Sequence, residues 1–71
     1  MIDATALDNW FTYHVPTPGQ PEKYAAIRAS ARAFAQVIVD NTPASADQTT
    51  AIRKIREAAM PANAAIACGG K

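Results

Sequence analysis

Two groups of residues have the types and spacing for chemistry. Trp10, Phe11 and Tyr13 fall within four residues, and His14 follows directly. An aromatic ring beside a hydrogen-bonding ring suits a nucleobase, offering a face to stack on and a polar edge. Such a segment also serves to cover a core, and both readings stand. Arg28 and Arg32 are four residues apart and would share one face of a helix. Two guanidinium groups so placed make a fork for an anion. They equally make a solubilising pair at the edge of a helical seam.

Residues for catalysis are sparse. His14 and Cys68 are the only base and thiol nucleophile, and they stand at opposite ends of the chain. The carboxylates Asp3, Asp8, Glu22, Asp40, Asp47 and Glu57 form no pair at helical spacing on one face. One histidine and one cysteine cannot build a structural zinc site of the Cys/His type within one chain. The three glycines lie outside the helical patterns, so no phosphate-cradling glycine loop is present. The expectation is a non-enzyme with no cofactor and no metal. Arg53 is expected to pair with Glu57, and Lys54 and Arg56 to be solvated charges.

The elements that must position these residues are helical. Residues 1–15 form an aromatic N-terminal segment, in which Asp3 is the expected N-cap of a short helix ending near Trp10. Residues 16–20 hold Pro16, Pro18 and Gly19, a proline-rich turn that excludes regular structure. Tyr24, Ile27, Ala31, Phe34 and Ile38 are spaced 3, 4, 3, 4, which predicts a helix over 21–41 with Pro21 in its first turn. Asn41-Thr42-Pro43 ends that pattern. Ser45 and Gln48 then read as a reciprocal capping box opening a helix over 45–68. Its stripe is Ile52, Ile55, Ala59, Ala62 and Ile66, again spaced 3, 4, 3, 4. Pro61 lies inside it and predicts a kink or break near Glu57. The fold expected is all-α: a short N-terminal helix and a long antiparallel helical hairpin, one domain in all.

Composition bounds what such a hairpin can do alone. The chain has 71 residues and 49% apolar content, but 17 of the apolar residues are alanine. A core this thin seldom supplies more than about 3–5 kcal/mol. No disulfide or zinc site is available to reinforce it, so a compact homo-oligomer is expected. No apolar run reaches the ~20 residues of a membrane span. The first residues lack the basic and apolar regions of a signal peptide. A lone thiol fits a reducing cytoplasm. The net charge of +1 argues against binding duplex nucleic acid. Two other readings of a helical hairpin are kept: a small DNA-binding regulator and a protein-interaction module.

Several blocks together resemble a known family. They are Phe11-Thr12-Tyr13-His14 before a proline turn, Gln20-Pro21-Glu22-Lys23-Tyr24 with Ile27-Arg28, Ser45 at the start of the last helix, and Ala62-Asn63-Ala64-Ala65-Ile66-Ala67. Over about residues 8–67 the chain is similar to the small phage anti-CBASS sponges. CBASS is a bacterial antiphage immunity in which a cyclic oligonucleotide messenger activates a killing effector. The resemblance implies a homohexamer of helical hairpins in the cytoplasm of the infected bacterial host. It implies that cyclic dinucleotides, such as cyclic GMP-AMP, are held uncleaved in pockets between subunits, and cyclic trinucleotides at separate sites. Tyr13 matches the pocket tyrosine of the family, and Arg28 falls where the family places a basic residue against phosphate. His14, Ser30 and Arg32 lie beside them as further ligand candidates. Pro61 and the tail Cys68-Gly69-Gly70-Lys71 depart from the family pattern.

Overall fold

A computed structural model describes residues 2–71, so Met1, the first residue of the aromatic segment, lies outside the described residues. The chain is all-helical there: α1 is Ala4–Trp10, α2 is Gln20–Asn41 and α3 is Ala46–Ala67. No strand occurs among the described residues.

Each helix end can be traced to a residue type. The Asp3 carboxylate accepts from the Ala6 N–H at 2.9 Å and caps α1. Gly19 precedes α2 with φ at +87°, a left-handed turn that an L side chain would resist. The Gln20 N–H closes that turn on the Thr17 carbonyl at 3.0 Å. Pro21 sits in the first turn of α2, where a missing N–H costs nothing. The Ser45 hydroxyl caps α3 by accepting from the Gln48 N–H at 3.1 Å. The other half of the expected capping box is absent. Gln48 Nε2 instead donates to the carbonyl and hydroxyl of Thr42, at 3.2 and 3.1 Å, and so ties the start of α3 to the end of α2. At the far end, Gly69 N–H reaches Ile66 O and Gly70 N–H reaches Ala65 O, both glycines at positive φ. This is the double hydrogen bond of a Schellman cap.

Of the kink or break expected near Glu57, the break does not occur, since α3 runs unbroken through Pro61. Proline removes only one helical N–H, whose acceptor would be the Glu57 carbonyl. Glu57 and Pro61 are both exposed, so water can take that carbonyl. Alanines on both sides favour the helix, and packing on α2 holds it.

α2 and α3 pack antiparallel across the four-residue link 42–45. Tyr24, Ile27, Ala31 and Ile38 meet the α3 stripe of Ile52, Ile55, Ala59, Ala62 and Ile66, all half-buried. Phe34 departs from its expected seam position: it is 57% exposed, and Ala35 is half-buried in its place. The phenyl ring lies instead along the apolar groove on an open face.

No described residue is fully buried. The exposed surface is 5601 Å², against roughly 4,250 Å² for a compact monomer of this mass. The radius of gyration is 15.4 Å, against about 11 Å for a globule of this length. The smallest extent, 15 Å, is little more than one helix with its side chains. The hairpin is a slab with two open faces.

Candidate ligand site

The two faces of the slab differ in chemistry. One carries a groove of about 590 Å³ lined by Ile27, Ser30, Phe34, Ile38, Lys54 and Ala58, among others, and is almost wholly apolar. The opposite face carries a groove of about 270 Å³ whose rim is Arg28 and Arg32 from α2 and Arg56 and Asn63 from α3. Ala31, Ile55 and Ala59 border both grooves and form the wall between them.

Arg28 and Arg32 therefore lie together, one helical turn apart, as their spacing requires. Arg32 is held in place: its guanidinium donates to Gln36 Oε1 at 2.9 Å, and Gln36 Nε2 donates to Asp40 Oδ1 at 2.8 Å. Asp40 thus acts on Arg32 through Gln36, although the two are too far apart to pair directly. Ser30 is separated from the arginines, because two residues along a helix turn it to the apolar side.

Tyr13 lines neither groove and is 82% exposed. It rides on an arm that is tied down beside it. Asn9 Nδ2 donates to the Cys68 carbonyl at 3.2 Å, and Trp10 Nε1 donates to the Lys71 carbonyl at 3.3 Å. Gln20 Nε2 donates to the Ile66 carbonyl at 3.3 Å and anchors the other end of the proline turn. His14 is half-buried, and its Nε2 lies 2.7 Å from the Asn9 carbonyl. A carbonyl can only accept, so Nε2 carries the proton and donates. His14, the residue next to Tyr13, is thus tied back to α1.

The fold also brings together what the sequence keeps apart. The Cys68 thiol points to the same Asn9 carbonyl, at 3.9 Å. The docking of α1 on the end of α3 produces this convergence, and no local spacing could have shown it. No group of three or more His, Cys, Asp or Glu is placed to hold a metal among the described residues.

The charge pattern differs from expectation at one point. Glu57 pairs with Lys54 at 3.3 Å rather than with Arg53, and this is the only ion pair among the described residues. Arg56 is exposed, as expected of a solvated charge, and it also lines the arginine groove. The register of a hairpin closed by four residues is the signal that could have placed it opposite Arg32.

A helical hairpin with an arginine face and a tethered aromatic arm can now be set beside known proteins. The family model described as Acb2/Tad1, hairpin domain, matches residues 3–67. The chain belongs to the Acb2/Tad1 hairpin family. Acb2/Tad1 proteins are phage anti-CBASS sponges for cyclic oligonucleotides, non-enzymatic in kind. The match takes in α1, the proline turn and both long helices, Pro61 included. No curated protein and no solved structure matches the chain. No helix among the described residues is long and apolar enough to cross a membrane.

Proposed function

We propose that the chain binds cyclic dinucleotides, cyclic GMP-AMP among them, and sequesters them uncleaved between subunits in the cytoplasm of the infected bacterial host. Membership of the Acb2/Tad1 family supports sequestration of a cyclic oligonucleotide. The observation that carries the finer reading is the separation of Tyr13 from the arginine groove. Tyr13 is exposed on one part of the slab, and Arg28 borders a groove it does not enter. In this reading a pocket that uses both is completed by a second copy of the chain. A cyclic dinucleotide has two bases and two phosphates, so two copies could each offer one ring and one guanidinium.

The slab geometry supports assembly. The surface excess of roughly 1,350 Å² per chain is the scale at which obligate interfaces bury area. The apolar groove around Phe34 is the face best suited to a neighbouring copy. In the proposed state the protein is a homohexamer, with Tyr13 and Arg28 as principal ligand contacts and His14, Ser30 and Arg32 beside them. Ser30, on the apolar side, would then meet ligand supplied across a subunit boundary. Cyclic trinucleotides are proposed as a second ligand class at a separate site. The continuity of α3 through Pro61 leaves the helix available for it.

Calorimetric titration of cyclic GMP-AMP into the wild type, Tyr13→Ala and Arg28→Ala tests the reading. Saturable binding by the wild type and loss in both variants is the expected result. Absence of heat with the wild type, or equal binding by all three, contradicts it.

A further inference from the structure

We propose that Arg56 of α3 completes, with Arg28 and Arg32 of α2, a groove within each chain that grips one phosphodiester of the ligand. The inference rests on the sponge reading and adds to it a charged contact from the opposite helix. Three observations lead to it.

First, the three guanidinium-bearing residues rim one groove, and no carboxylate lines it. Arg28 and Arg56 have no acidic residue three or four positions away on either side. The one nearby carboxylate on α3, Glu57, is turned to Lys54, and Lys54 borders the opposite groove. Three like charges around one cleft repel each other, and a bound anion removes that repulsion.

Second, the floor is apolar and the polar groups stand at the rim. Ala31, Ala35 and Ala59 lie between the charged rims. Ile52 and Ile55 line the floor with them, so the hydrogen-bonding groups that face a ligand are those of the rim. Arg32 is already oriented by Gln36 and Asp40, so part of the rim is ordered before an anion arrives. Asn63 adds an amide at the same rim, with donors and an acceptor for a sugar or base edge.

Third, the size selects a fragment. About 270 Å³ falls below the roughly 300–1,000 Å³ of sites that enclose a whole small molecule. A phosphodiester with part of its sugar suits this space. The rest of a cyclic ligand would project out of the groove toward another copy.

Arg56→Gln is the diagnostic variant. Glutamine has a helix propensity close to that of arginine and removes only the charge and the fork. Arg53→Gln is the control, since Arg53 makes the same change of charge on α3 outside the groove. Circular dichroism and native mass spectra establish that both variants fold and assemble as the wild type does. Cyclic GMP-AMP should bind Arg56→Gln roughly 10- to 100-fold more weakly than wild type, with Arg53→Gln within about twofold. Arg56→Lys, which keeps the charge without the fork, should fall between. Equal affinities for Arg56→Gln and Arg53→Gln, with tight binding by the wild type, overturn the groove and leave the sponge reading standing. If the wild type binds no cyclic GMP-AMP, inorganic pyrophosphate becomes the probe. Saturable pyrophosphate binding lost only in Arg56→Gln then supports the groove, and no such binding overturns it.

Discussion

Replacing Phe34 with alanine should separate assembly from folding. The residue is 57% exposed in the single chain, so the larger part of its surface is not covered by the hairpin itself. A phenylalanine presents about 200 Å² of surface, so roughly 110 Å² of it remains for a neighbouring copy to cover. At about 25 cal/mol per Å², full coverage contributes about 2.8 kcal/mol per copy. Phe34→Ala should therefore weaken each contact by about a hundredfold, while far-ultraviolet circular dichroism stays helical. Val39→Ala is the comparison, because five residues place Val39 about 140° around α2 from Phe34. Sedimentation velocity over a dilution series reads the midpoint of dissociation. The reasoning is refuted if Phe34→Ala and the wild type dissociate at the same concentration. It is also refuted if the wild type stays monomeric at high concentration.

Other perturbations address the remaining links. Pro61→Ala restores one helical hydrogen bond and removes a residue costing up to about 3 kcal/mol in a helix interior, so its melting temperature should rise by several degrees; a fall would show that proline shapes a contact. Ser45→Ala removes the cap of α3 and should lower stability by about 1 kcal/mol, measured by urea denaturation; no change would discount the cap. Asn9→Ala breaks the tie to the Cys68 carbonyl and should raise hydrogen exchange across residues 11–15 with α2 and α3 unaffected. Unchanged exchange there would mean that the arm is held by other contacts. Tyr13→Ala should keep the melting temperature within about a degree, since the ring is exposed, yet weaken cyclic GMP-AMP binding roughly tenfold or more. An unchanged affinity would exclude stacking on Tyr13.

Local chemistry was well written in the sequence. Asp3 and Ser45 cap the helices that their types indicate, and the paired 3-4-3-4 stripes identify the hairpin. What depended on distance along the chain was harder to read. Phe34 fits its stripe by spacing, yet Ala35 takes the half-buried position and Phe34 lies on an open face. Gln48 could reach back to Ser45, but the link places Thr42 within its range. Glu57 had two cations within one turn, and spacing alone favoured the wrong one. Arg56 reads as a solvated charge and is exposed, but its share in a groove exists only when α2 lies beside α3. The ties of Asn9, Trp10 and His14 span the arm and the end of α3, and no periodicity announces them. Pro61 broke a rule of local propensity that one exposed carbonyl and a packed neighbouring helix could absorb.

The central claim is that copies of this hairpin hold an intact cyclic dinucleotide between them. A native mass spectrum with and without cyclic GMP-AMP tests it most directly, followed by heat release and mass analysis of the nucleotide. The expected result is a homohexamer that gains ligand mass and returns the messenger unchanged. A monomer that gains no ligand, or a released nucleotide heavier by one water from ring opening, would contradict it.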